Sequence, residues 1–305
     1  VTLSLVETPP EQKLRFSVAH ATDVGGRSSN EDAVFVTELE PVGNGESATD
    51  GGYLIAVADG MGGYQRGEVA SEMAIDVVRE MFAADPGADI ALLLKQAFRR
   101  ANDRIFENGQ GAVPPAMMGT TLVVAATRGK YATIASIGDS RAYLARANRL
   151  TQITKDHSLV ADQVEQGAIS EAEARESPHR NILTHALGHK AKLDAKMPNI
   201  FELTLLPEDR VLICTDGFFD VVSSDDFLNA LVTLDPNAAT AKLIHTAKER
   251  NTTDNVTAAI LTVLPNREPV AIAKSAPSST SMMIPIFVSL LAIALIAVLL
   301  YLFVI

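Results

Sequence analysis

Five acidic segments stand at, or just beyond, the ends of apolar runs. They are "GGRSSNED" with Glu31 and Asp32, "VADGMGG" with Asp59, "IGDSRAY" with Asp139, "ICTDGFFD" with Asp216 and "NTTDNVTAAI" with Asp254. A single aspartate in such a place serves as readily as a turn or helix-cap residue. Five from separated parts of one chain have a further consequence. Brought together without compensation, they repel and raise each other's pKa. A hard divalent cation removes that repulsion and takes oxygen ligands. Gly60 follows Asp59 and Gly217 follows Asp216, so the backbone can come close at both places, and a glycine carbonyl is itself an oxygen donor. The six histidines are scattered, which disfavours zinc. Magnesium or manganese fits the donor set.

The elements that must position these groups are short. Strand-like runs include "LRFSVAHAT", "AVFVTEL", "YLIAVADG", "GTTLVVAAT", "YATIASIGD", "RAYLARA", "IFELTLL", "RVLICTDG" and "VTAAILTVL", many bounded by Gly, Asp or Asn. Helical periodicity falls at about 66–84, 88–108, 158–175, 224–232 and 237–250. Strands come in consecutive groups, interrupted by one helical pair, so the expected class is α+β rather than alternating βαβ.

Composition narrows the partners. A net charge of -11 argues against a nucleic-acid binder, which would carry a basic face. The one cysteine, Cys214, excludes an internal disulfide and a thiolate zinc cluster, and its apolar setting reads as core. Residues 284–305, "IPIFVSLLAIALIAVLLYLFVI", carry no charge. A bilayer-spanning helix needs about 20 such residues, and a buried core helix of that length would show a polar face. The expectation is a transmembrane tail anchor at 284–305, a flexible Ser/Pro/Ala-rich linker at 265–283 and one soluble domain at 1–264. Arg267 and Lys274 beside the span, and the lack of an evident signal peptide, favour a cytoplasmic domain.

Seven segments, "GGRSSNEDA", "VADGMGG", "MMGTTLVVA", "SIGDSRAY", "KDHSLV", "ICTDGFFD" and "TTDNVTAAI", resemble in order and spacing the metal-dependent type-2C serine/threonine protein phosphatases of bacterial type. The resemblance covers about residues 14–264. It implies a central β-sandwich of two antiparallel sheets flanked by helix pairs, with the metal site at one end. It further implies that Asp59 bridges two manganese or magnesium ions and that Asp216 and Asp254 complete the first. The Gly60 carbonyl, and Glu31 through water, would serve the second. Asp32 would orient the attacking water, and Arg27 would hold the substrate phosphate. Asp139 and Asp216 match the positions of a third, weaker metal, and residues 158–190 would form a mobile flap.

The implied reaction is hydrolysis of phosphoserine or phosphothreonine in proteins. Two cations neutralise the phosphate dianion and lower the pKa of a water, which attacks in line without a covalent enzyme intermediate. A planar arginine fork suits phosphoryl oxygens. One departure concerns the leaving group. Some relatives carry a histidine two residues after the bridging aspartate; here that residue is Met61, which donates no proton. Water is then the expected acid, and His157 in "KDHS" reads as structural. An opposing serine/threonine kinase is a partner implied by family. A catalytically silent scaffold would have lost metal carboxylates, and none is lost. A hydrolase of small phosphoesters is the other alternative, separated by a substrate panel.

Overall fold

Strand β3 (Gly52–Met61) is apolar on both faces, so both must be covered. Leu54, Ala56 and Ala58 point one way and Ile55 and Val57 the other, and all five are buried. The first set packs with Val78 and Phe82 of α1 (Arg66–Ala84) and Leu94 and Phe98 of α2 (Ile90–Gly111). The second joins Ile213, Ala259 and Leu261 of the facing sheet. The computed structural model describes residues 13–43, 50–62, 66–111 and 117–265. These fall within the first of two units into which the chain divides, residues 1–266. The linker from residue 266 and the membrane-span reading at 284–305 lie outside the described residues. Among the described residues, no helix is long and apolar enough to cross a membrane.

Two antiparallel sheets form the sandwich. One runs in the order β1 (Phe16–Asp23), β11 (Val256–Val263), β10 (Arg210–Cys214), β7 (Arg141–Arg146), β8 (Arg149–Gln152). The other runs β2 (Asp32–Leu39), β3, β5 (Leu122–Arg128), β6 (Tyr131–Ile137), β9 (Asn199–Thr204), with the short β4 (Gly119–Thr120) also on β3. Strands β10 and β11 repeat the two-faced pattern of β3. Leu212, Cys214 and Ile260 turn outward onto Phe227 and Leu231 of α6 (Ser224–Thr233) and Leu243 of α7 (Pro236–Glu249). Cys214 is therefore core, as its neighbours predict, and burial pushes its thiol up to about 12. The expected sandwich with flanking helix pairs is the fold observed.

Several elements differ from expectation: the one-turn helix Asp216–Phe219 was not among the expected helices, and the run "GTTLVVAAT" is divided between β4 and β5. The run at 158–175 is two short helices, α3 (Leu159–Glu165) and α4 (Glu171–Glu176), not one. Gly167 at φ +69° ends the first, and Ser170 caps the second in a reciprocal bond with Glu173. Strand β8, "RLTQ", was not anticipated. Its polar residues lie at the exposed sheet edge, where alternation is not required.

Candidate metal centre and phosphate cleft

The register of β2 against β3 sets Asp32 opposite Asp59 at one end of the sandwich. Just beyond, the Gly60 N–H donates to the Glu31 carbonyl at 3.0 Å. A Cβ on Gly60 would stand 2.0 Å from the Gly67 carbonyl oxygen and 2.6 Å from that of Glu31. Glycine is thus required where β3 passes under the first turn of α1. The Asp59 backbone is fixed from β4 and β5. Its N–H donates to Thr121 Oγ1 at 3.0 Å, and its carbonyl accepts from the Thr121 N–H at 2.9 Å and Thr120 Oγ1 at 2.8 Å.

The other sheet supplies Asp216 and Asp254. Asp216 opens the one-turn helix α5 (Asp216–Phe219) directly after β10, and Asp254 lies two residues before β11. A Cβ on Gly217 would fall 1.9 Å from the Asn255 carbonyl, so the two segments touch backbone to backbone. The Asn255 side chain then ties in the loop that carries Arg27. Its Oδ1 accepts from the Glu31 N–H, and its Nδ2 donates to the carbonyls of Val24 and Ser29, each at 2.9 Å. Asp254 Oδ1 accepts from the Asn255 N–H at 2.8 Å, and Oδ2 accepts from Arg27 Nη2 at 2.6 Å. That ion pair raises the pKa of the guanidinium.

A cleft of about 490 Å³ opens over these groups, lined by Arg27, Glu31, Asp59, Gly60, Asp139, Asp216 and Asp254 among others. Asp32 is not on its wall. It lies just behind, accepting at Oδ2 from Thr215 Oγ1 at 2.9 Å. Burial, then repulsion from neighbouring carboxylates, raises the acids of this end together. Asp216 goes up to about 6, Asp139 to about 8, and Asp59 well above its ordinary value. Burial lifts Asp32 to about 7 against the pull of hydroxyls at Thr257 and Thr215. Glu31 is raised too, chiefly by burial.

Asp216 Oδ1 is buried without a hydrogen-bond partner. Among the described residues, no three His, Cys, Asp or Glu side chains already close on one point. A cluster of oxygen donors, mutually repelling and with one oxygen orphaned, fits a divalent cation.

His157 is not on the wall. It is buried; its Nδ1 accepts from the Gly138 N–H at 3.0 Å, and the Asn199 amide lies 2.9 Å from Nε2. Burial, then the nearby His185, lowers its pKa. The structural reading of His157 therefore holds, and Met61 lines the cleft as expected. Sequence reasoning missed Asn255, Thr121 and Thr215, which position others rather than face the cleft's centre. It also missed His185 and Asn181, which the 158–190 segment brings to the wall.

Residues 24–256 match the family model described as Protein phosphatase 2C. The chain belongs to this family. Over 239 residues it is 34% identical to the serine/threonine protein phosphatase PstP of Mycobacterium tuberculosis, covering 78% of this chain but only 43% of that protein. It is 36% identical over 182 residues to the serine/threonine phosphatase stp of Listeria welshimeri, covering 58% of this chain and 71% of that one. Among solved structures it is similar to the catalytic domain of PstP in complex with two manganese ions. There the TM-score is 0.69 and the identity 34%, over 82% of this chain and 99% of that one. The phosphatase 2C match includes every candidate residue from Arg27 to Asp254.

Proposed function

We propose that the chain hydrolyses phosphoserine and phosphothreonine in proteins, using two manganese or magnesium ions and a third, weaker one. The observation that carries this reading is the convergence of Asp59, Asp139, Asp216, Asp254 and Arg27 on one cleft. The similar PstP structure with two manganese ions supports the choice of cofactor.

Asp59, Asp216, Asp254, Glu31 and the Gly60 carbonyl would hold the two tighter ions, and Asp139 with Asp216 would hold the third. Bound divalent cations neutralise phosphate charge and make water nucleophilic near neutral pH. The chain's own groups do the rest. Arg27 takes two phosphoryl oxygens with its planar fork, once it leaves Asp254. Asp32, fixed by the Thr215 hydroxyl, orients the attacking water. Gly60 and Gly67 let β3 and α1 approach closely enough to keep Glu31 beside Asp59.

Phosphorylated proteins are the proposed substrates, and an opposing serine/threonine kinase the proposed partner. We also propose that residues 284–305 span a membrane, on the strength of their uncharged length, with the catalytic domain on the cytoplasmic face, on the strength of Arg267 and Lys274 beside the span. A silent scaffold role is opposed by the complete set of carboxylates. The test of the catalytic reading is manganese-dependent release of phosphate from a phosphothreonine peptide. A preparation that bound manganese and released none would overturn it.

A further inference from the structure

Hydrolysis of a phosphoserine or phosphothreonine ester expels an alkoxide, a far poorer leaving group than a phenolate. Its departure is helped by a proton delivered as the P–O bond breaks. Met61 cannot supply one, and both ring nitrogens of the buried His157 face polar partners away from the cleft. The wall contains other N–H and O–H groups. Arg27 is committed to the phosphate, and Thr121 Oγ1 to Ser140 and the Asp59 N–H. Asn255 Nδ2 is tied to Val24 and Ser29, Thr184 Oγ1 lies against His185 Nδ1, and the Asn181 amide is too weak an acid; of the wall's side chains, the two histidines are the ones suited to proton exchange near neutral pH. His189 is exposed, whereas His185 is half-buried and held.

The backbone on both sides of His185 is pinned to the catalytic end of the sandwich. Thr184 N–H donates to the His157 carbonyl at 2.8 Å. Leu187 exchanges hydrogen bonds with Thr120, N–H to carbonyl at 2.9 and 3.1 Å. Thr120 in turn pairs with Gly60, and its hydroxyl binds the Asp59 carbonyl. His185 is thus two residues from Leu187, whose partner Thr120 is itself paired with the residue beside Asp59. Its ring stands edge-on to His157, centroids 5.5 Å apart at 67°. Nδ1 lies 3.2 Å from Thr184 Oγ1, itself on the cleft wall, while Nε2, 4.0 Å from Asp194 Oδ2, is beyond hydrogen-bond reach of that carboxylate and, unlike the nitrogens of His157, is not held by a hydrogen bond among the described residues.

We propose that His185 is the proton donor to the departing seryl or threonyl oxygen, a role that rests on the phosphatase reading above. The water oxygen forms the new P–O bond while the bond to the side-chain oxygen breaks. That oxygen leaves with its electron pair and takes the proton from the His185 imidazolium. The neutral ring regains a proton from solvent before the next turnover.

The test compares two leaving groups in the chain of residues 1–305 with manganese. A phosphothreonine peptide needs the proton; p-nitrophenyl phosphate, with a phenolate leaving group, does not. His185→Gln should lower kcat on the peptide by about 10²-fold with KM little changed. On p-nitrophenyl phosphate it should stay within about twofold of wild type, which also shows that the variant is folded and metal-loaded. Equal losses on both substrates, or undiminished peptide turnover, would overturn the assignment. A wild type that turned over neither substrate would overturn the phosphatase reading and this role with it.

Discussion

Arg27 and Asp254, 227 residues apart in sequence, are bonded to each other across the cleft, Nη2 to Oδ2 at 2.6 Å. With Asp254 Oδ1 already taken by the Asn255 N–H, both oxygens of a proposed metal ligand are engaged. A cation at Asp254 competes with Arg27 for the charge of this carboxylate, and a guanidinium released from it is free for phosphate. Arg27→Ala should therefore bind manganese more tightly while using substrate less well. The pair is largely exposed, 54% and 29% for the two side chains, so its worth is at most about 1 kcal/mol. That corresponds to up to about fivefold in manganese Kd by calorimetry, with a raised KM for phosphopeptide. Weaker manganese binding, or normal kinetics, would contradict this account of Arg27.

The raised acids give the cation-free domain a pH dependence of definite sign. A carboxyl whose folded pKa exceeds its unfolded value holds its proton more tightly when folded. Its contribution is full below the ordinary value of 3.8 and is lost as pH rises through the folded value. Asp216 near 6, Asp32 near 7 and Asp139 near 8 place that loss between about pH 4 and pH 8. Paired surface acids such as Asp23 and Asp226 act oppositely, but below that window, because their pKa values are lowered. Buried His157, whose pKa is lowered, also acts oppositely up to its ordinary value of 6.5, but it is one group against the several raised acids, so in chelator Tm should fall from pH 5 to pH 8. Manganese, binding the ionised forms, should raise Tm most at pH 8. A Tm in chelator that rose across this range would refute the clustering of these charges.

Asp59→Asn and Asp216→Asn each remove one repelling charge from the buried cluster. The cation-free variants should fold and melt no lower than wild type. Turnover should fall on the order of 10³-fold or more, because the site loses charge that places and balances the cations. The stabilisation on adding manganese should shrink in parallel. Near-normal turnover in either variant at limiting manganese would remove it from the ligand set.

How far the sequence foretold this site depends on what kind of signal each residue leaves. Asp59 was legible because an apolar run ends on it, and the run is apolar since both faces of β3 are covered. Gly60 and Gly217 were legible as close approaches, and both proved to be backbone contacts under 2.1 Å for an added Cβ. Asn255 was not. It sits beside a conspicuous aspartate, and its three bonds to the loop at 24–31 depend on a contact across some 225 residues. The split of the helical run at 158–175 could have been read from Gly167 and the Ser-x-x-Glu pair at Ser170 and Glu173. His185 left no trace, because its place depends on the bridge between Leu187 and Thr120 rather than on any local pattern.

The proposed membrane span makes a prediction independent of catalysis. The full chain, expressed with its 284–305 segment, should stay with membranes in high salt and at alkaline pH and come off only with detergent. A spanning helix is held by burial of its apolar length, which salt does not weaken. Release by salt alone would leave at most a peripheral association.

Asp139 stands where two clefts meet. It and Asp216 line both the catalytic cleft and a larger one of about 720 Å³, and Asn181 is the 158–190 residue that lines both as well. Val160 and Val164 of α3 and Glu171 and Arg175 of α4 form part of the larger wall. An ion held by Asp139 and Asp216 would sit at this seam, with few carboxylates to hold it, and would fill last as manganese is raised. The segment is anchored at both ends. Leu159 N–H bonds the Ile182 carbonyl at 2.8 Å, and Leu187 pairs with Thr120. Between them Arg180 reaches back to Asp220 at 3.4 Å. An ion at the seam should therefore bias the stretch from about 166 to 181, not its ends. Asp139→Ala should fold and keep the two tighter metals, yet lose turnover of a phosphoprotein across the upper part of a manganese titration. Over the same range, proteolytic cutting between 166 and 181 should respond to manganese in wild type and not in the variant. Superimposable turnover and cleavage curves for the two proteins would leave Asp139 as a turn residue and remove the third ion from the site.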